Sequence, residues 1–205
     1  MVTQSSIDLP GLPTLTWTGA PSSASVDPDR GGLVMTAAAG TDWINHAQTG
    51  VRNASASALG FTADGDFALS AQVTVAFGST FDAGALCLFS SQESWAKLCL
   101  ERSPQGQAMA VSVVTNGGYS DDCNSAVVDG DSVYLRVSRS GRAYAFHSST
   151  DGQQWNFVRL FRLTARAGHV KVGFLAQTPL GEACTATFSE IQLTDRAPAD
   201  LRDGS

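Results

Sequence analysis

Residues 66–77 read DFALSAQVTVAF. Phe67, Leu69, Ala71, Val73, Val75 and Phe77 fall on one side of an extended chain; Ala68, Ser70, Gln72, Thr74 and Ala76 fall on the other. A period of two is the pattern of a strand with one face on a core. A helix would split the apolar set, because residues two apart point roughly 200° away from each other.

The same period recurs down the chain. In AMAVSVVT, the more apolar Met109, Val111 and Val113 alternate with Ala110, Ser112 and Val114. In SVYLRVS, Val133, Leu135 and Val137 alternate with Tyr134, Arg136 and Ser138. In HVKVGFLA, Val170, Val172, Phe174 and Ala176 alternate with Lys171, Gly173 and Leu175. One apolar face and one more polar face marks antiparallel sheets. Turn signals such as Asp64-Gly65, Asn116-Gly117-Gly118, Asp129-Gly130, Ser140-Gly141 and Asp151-Gly152 separate the runs. Strands are expected at 132–138, 143–148 and 155–160, joined by tight turns. TDWINH, residues 41–46, suggests a single helical turn capped by Thr41 or Asp42. About a dozen short strands with no linker between halves predict an all-β, two-sheet antiparallel jelly-roll sandwich. The expected organisation is an N-terminal extension over 1–13, one domain over 14–195 and a polar tail over 196–205 that frays.

SWAKLCLERSP, Ser94 to Pro104, alternates as well. Ala96, Leu98 and Leu100 form its core face. The other face holds Trp95, Lys97, Cys99 and Glu101, a stripe about 20 Å long at strand spacing. Cysteine is among the most buried residue types and tryptophan is costly to expose. A face mixing both with charges is read as half-covered, by loops or by a ligand. Packing of Trp95 and Lys97 beneath another strand would remove them from such a surface.

Composition excludes several classes. Hydrophobic residues make up 43% of the 205 residues, enough for a sizeable core. The net charge of −6 and the lack of any basic run argue against nucleic-acid and anionic-membrane binding. No apolar run reaches the roughly 20 residues of a membrane-spanning helix. The cysteines at 87, 99, 123 and 184 make no CxxC pair, and His46, His147 and His169 are scattered, so no metal site and no cofactor are expected. Asp121, Asp122, Asn124, Asp129 and Asp131 offer oxygens for calcium, but not at EF-hand spacing. With no leader-like start, a cytoplasmic chain with reduced thiols is expected. No Gly-x-Gly-x-x-Gly turn suggests a dinucleotide.

Five elements then occur in one order: TDW, GDF, an Ala-Gly strand before WAKLCLE, VVT followed by SD, and a Ser-x-Asp-Gly-x-x-Trp hairpin. They comprise Thr41, Asp42, Trp43, Gly65, Asp66, Phe67, Ala83, Gly84, Trp95, Lys97, Glu101, Val114, Thr115, Ser120, Asp121, Asp151, Gly152 and Trp155. In this the chain, from about Leu15 to Leu193, resembles a family of unknown function in the concanavalin A-like lectin/glucanase superfamily. A fungal member of that family is labelled a regulator of enolase. The resemblance implies a jelly-roll sandwich with a concave ligand face, and no particular activity. Asp122 stands where the family usually has Trp after Ser-Asp, and residues 44–61 differ from the usual family text.

On that concave face, Trp95 is expected to stack on a ligand. Trp43, Asp42, Asn116, Tyr119, Asp121, Tyr134 and Arg136 are candidate ligand contacts. Glu101 and His46 are candidate acid/base groups, with Lys97 a charge stabiliser. Trp155 is expected to pack over its own hairpin. A paired-carboxylate glycosidase strand and a Ser-His-Asp motif are both missing from the sequence. The expected partner is a carbohydrate or other polar small molecule. A small enzyme of carbohydrate or secondary metabolism acting in the same cleft, and a protein-interaction domain, are the alternatives.

Overall fold

The computed structural model describes residues 5–20, 22–27, 31–165 and 169–205. Within it an eight-stranded sheet runs, in spatial order, β1 (Ser6–Ile7), β2 (Leu15–Trp17), β7 (Leu59–Thr62), β16 (Lys171–Gln177), β9 (Ala83–Ser91), β10 (Ser94–Arg102), β11 (Ala108–Asn116) and β12 (Tyr119–Val128). A seven-stranded sheet runs β15 (Asn156–Phe161), β14 (Ala143–Ser149), β13 (Ser132–Ser140), β8 (Phe67–Ala76), β17 (Ala183–Thr194), β4 (Leu33–Ala38) and β3 (Ser23–Val26). The small pair β5 (Trp43–Asn45) and β6 (Arg52–Ala54) stands apart from both. The pairs are antiparallel, as in β8 with β13 and β9 with β10. No described helix is long and apolar enough to cross a membrane.

The alternation of residues 66–77 fixes the inner face of the seven-stranded sheet. Phe67, Leu69, Ala71, Val73 and Val75 are buried there with Val133, Leu135 and Val137 of β13. Ala96, Leu98, Leu100, Val172 and Phe174 meet them from the other sheet. Phe174 packs edge-on against Phe188 at 5.0 Å. Burying each large side chain stabilises the sandwich by about 1.5–3 kcal/mol. Gly84 marks a close approach of the sheets: an added Cβ would lie 2.8 Å from Ala186 Cβ and 2.9 Å from Val73 Cγ1.

Four local expectations change. TDWINH leads into strand β5, with no helical turn. In β11 the inward face is Ala110, Ser112 and Val114, paired opposite Leu100, Leu98 and Ala96. Met109, Val111 and Val113 turn to the outer face instead. Both faces of β11 are apolar enough that only the neighbour decides. The N-terminal segment joins the fold: β1 pairs with β2, and Ile7 and Leu9 are in the core. The tail, expected to fray, folds back on the outer face of the seven-stranded sheet, where the Leu201 and Gly204 carbonyls accept hydrogen bonds from His147 and Arg136.

Candidate functional site

The outer face of the eight-stranded sheet is not bare. The chain crosses it from one corner to the other. At one end Thr41 bridges Thr178, just past β16. At the other, Asn45 N–H donates to Ser120 Oγ (2.9 Å) and Asn45 Nδ2 to Gln92 O (3.0 Å). Between these anchors Trp43 is driven into the face. Its ring lies 5.5 Å from Trp95 and 5.3 Å from Phe89, and its Nε1 donates to Ala56 O at 2.6 Å. A second apolar cluster forms around it, including Ala85, Cys87, Cys99, Val111, Val113 and Leu175.

This covering removes Trp95 and Trp43 from any ligand surface. Trp95 is 1% exposed and Trp43 2%. The expected stacking role of Trp95 therefore does not hold; the two rings pack on each other. Cys99 is likewise interior.

Lys97 is also buried, but as a charge. Its Nζ donates to Gln177 Oε1 at 2.6 Å and to Asp42 Oδ1 at 3.1 Å. Asp42 Oδ1 in addition accepts the N–H of Trp43 at 2.7 Å, and Gln177 Nε2 donates to Phe81 O at 3.2 Å. The ammonium is thus held by the crossing segment on one side and β16 on the other. Burial opposes its charge, yet the pull of Asp42, with that of Glu101, outweighs the burial and holds Lys97 above its ordinary range. A buried ammonium needs such partners, since taking charges out of water costs several kcal/mol each.

The corner that the crossing segment leaves open holds Glu101 and Met109, both partly exposed, and Asp122 and Asn124 on the edge strand β12. Register puts them on one face: Glu101 is opposite Met109, Val111 opposite Asn124, and Val113 opposite Asp122. Burial raises the Glu101 carboxyl to about 7, partly offset by Lys97 and reinforced by Asp42 and Asp122. Asp122 is raised as well, by burial first, with Lys97 and His46 pulling the other way. The arrangement is a buried ammonium behind two half-open carboxyls, one of which changes charge near neutrality.

The other candidates lie elsewhere. His46 sits exposed in the β5–β6 turn, where Nδ1 accepts the N–H groups of Gln48 and Thr49, each at 3.2 Å. Asn116 pins a neighbouring loop, donating to Arg162 O and accepting from Thr164 N–H, each at 2.8 Å. Asp121 turns to the opposite face of β12 and pairs with Arg159 at 2.8 Å. Tyr119 stands exposed at the start of β12. Tyr134 and Arg136 belong to β13 of the other sheet, so the expected concave-face contacts are corrected. Trp155 stacks under Arg136 at 4.2 Å. Among the described residues no group of three metal-binding side chains converges; extended β12 sends Asp121 and Asp122 to opposite faces.

Gln177, Asp122, Asn124 and Met109 were not on the expected site. Asp122 carried a signal, as the departure from the family's usual Trp. Gln177 carried only its parity with Lys171 and Leu175, and the β16–β9 pairing that brings it to Lys97 is invisible in local sequence.

The family match covers residues 17–196. The chain belongs to the DUF1349 family of proteins of unknown function. A functionally unknown protein from Saccharomyces cerevisiae is 28% identical, with a TM-score of 0.78, over 88% of this chain and 95% of that one. The GH43 BlXynB protein of Bacillus licheniformis is 15% identical with a TM-score of 0.67; the match takes in 84% of this chain but only 34% of that one. The carbohydrate binding module CBM66 from Bacillus subtilis is 14% identical, with a TM-score of 0.53, over 86% of this DUF1349 chain and 94% of the module. At these identities the last two share the fold. Among curated proteins none matches.

Proposed function

We propose that the open corner of the outer face binds a hydroxyl-rich small molecule, with carbohydrate the class that fits best. The observation that carries this is the Asp42–Lys97–Gln177 cluster set behind the half-open carboxyls of Glu101 and Asp122. Carboxylates accept hydrogen bonds from sugar hydroxyls, and a protonated Glu101 also donates one. The Asn124 amide adds a donor and an acceptor. Met109, half-buried, gives an apolar contact for C–H faces. Sandwiches of the same fold in a carbohydrate binding module and a GH43 protein support the ligand class. Trp43 and Trp95 position the crossing segment and touch no ligand. A reducing, cytoplasmic setting suits the four free thiols.

The test is calorimetric titration of the intact chain with neutral xylo-, cello-, malto- and fructo-oligosaccharides. At least one series should bind saturably, and Glu101→Gln and Asp122→Asn should each weaken it about tenfold, the worth of one charged hydrogen bond. Binding unchanged in both variants, or no binding of any series, would overturn the reading.

A second reading has its own observation. A carboxyl raised to about 7 is poised to act as a general acid near neutral pH. A small enzyme would use Glu101 in that role, with Asp122 as its partner. Product release from the same oligosaccharides, abolished in Glu101→Gln while binding persists, would favour catalysis over binding.

A further inference from the structure

The outer face of the seven-stranded sheet carries a cleft of its own. The turn over residues 200–204 closes against β13 and β14, leaving a cleft of about 280 Å³ lined by Arg136, Trp155, Ser70, Gln192, Thr194 and Arg196, among others. Arg136 is the main group in it. Its guanidinium carbon lies over the Trp155 ring, 4.2 Å from the centroid, and Nη2 donates to Gly204 O at 2.6 Å. Its Nε is buried without an acceptor. Among the described residues it makes no ion pair, since the carboxylates that do pair are taken by Arg52, Lys97, Arg159 and Arg196. Arg196 itself meets Asp195 only loosely, at 3.8 Å on the open surface.

A guanidinium carries five N–H donors in one plane. Here one carbonyl uses one of them. The contact with the indole and the bond to Gly204 O hold the group in place and leave its other donors without a protein acceptor among the described residues. The two cross-strand neighbours carry no negative charge: Ser70 and His147 are directly opposite Arg136 on β8 and β14. His147 stays neutral, because burial and then Arg136 pull it down to about 4. Its Nε2 donates to Leu201 O at 2.9 Å. Asp203 lies near His147, and its carboxylate accepts the Ser205 N–H at 2.8 Å. Asp203 is the nearby carboxylate, yet among the described residues neither it nor any other carboxylate pairs with Arg136, so a half-buried cation keeps most of its donors unused in a cleft lined by hydroxyls, an amide and a second cation. We propose that this cleft is a second ligand site, for a small oxyanion (a carboxylate or a phosphate) held in the plane of the Arg136 guanidinium with Arg196 at its edge. Its volume lies just below the usual range for drug-sized ligands, which suits an acid of a few carbons. A carboxylate or phosphate takes two parallel N–H bonds from one guanidinium, which a carbonyl such as Gly204 O does not.

The probes are malonate and inorganic phosphate, titrated into the intact chain against chloride at equal ionic strength. One should bind saturably at millimolar strength or better; which one separates a carboxylate from a phosphate source. Arg136→Gln should weaken that binding at least tenfold and Arg196→Gln a few-fold, while Glu101→Gln leaves it unchanged. If Arg136→Gln does not fold, the Arg136 Nε–H resonance of the unaltered protein gives the answer, since it should shift on titration. Saturable binding that survives Arg136→Gln, a resonance that does not move, or no binding of either anion below about 50 mM overturns the proposal. Failure here leaves the oligosaccharide site untouched, because the two sites lie on different sheets.

Discussion

Glu101 sets the pH dependence of the outer face. Its carboxyl is held up to about 7 in the folded chain against an ordinary 4.5. Between those values the folded protein keeps a proton that the unfolded chain has lost. Stability therefore falls as pH rises from about 4.5 to about 7 and levels off above. Glu101→Gln removes this step. Urea denaturation should find the variant more stable than the parent at pH 8 by on the order of 1–2 kcal/mol, and level with it at pH 4. An equal gain at both pH values would locate the effect in packing instead. Lys97 behaves oppositely, because removing it strands a carboxylate. Lys97→Met should cost about 2–4 kcal/mol, and adding Asp42→Asn should restore part of that. These residues were partly legible. Alternation alone places Lys97 and Glu101 on one face, while Asp42, expected as a ligand contact, is instead the partner of Lys97. That Lys97 would be buried was not legible, because alternation gives a side and says nothing of what lies over it.

At the scale of elements, the crossing segment with β5 and β6 decides what the outer face is. It shuts one corner with Trp43 and leaves the other open at Glu101. Trp43→Ala should cost about 3–5 kcal/mol by denaturation. Hydrogen exchange should speed up over residues 43–56 while β8 and β13 stay protected. Uniform acceleration would mean that the segment is integral to the whole sandwich. Three residues of TDWINH form β5, a reading that capping chemistry at Thr41 and Asp42 obscured. Strands β8, β10, β13 and β16 are legible because an apolar inner face alternates with a second set of residues; β12, with Asp, Asn and Ser along an exposed edge, and β17 carry no such signal. The inward face of β11 is not legible in the sequence, because both of its sides are apolar. β1 is only two residues long, too short for any period.

For the whole molecule, two antiparallel sheets over one core followed from periodicity, since neither sheet can bury its apolar face alone. Which strands neighbour which did not follow: β16 lies beside β7 and β9, far away in sequence. That long-range order is what brought Gln177 to Lys97 and sent Arg136 to the other sheet. The cysteines report the integrity of the fold. Cys87, Cys99 and Cys184 are buried with their thiols pushed up, Cys184 to about 12, while Cys123 is exposed and all four are free. A thiol reagent should label Cys123 alone in the native chain and all four in denaturant. Binding of a hydroxyl-rich ligand in the open corner beside the Lys97 cluster can be read by titrating isotope-labelled protein with the oligosaccharide series and mapping amide shifts. The shifts should gather at Glu101, Met109, Asp122 and Asn124. Shifts confined to the seven-stranded sheet, or none at all, would contradict it.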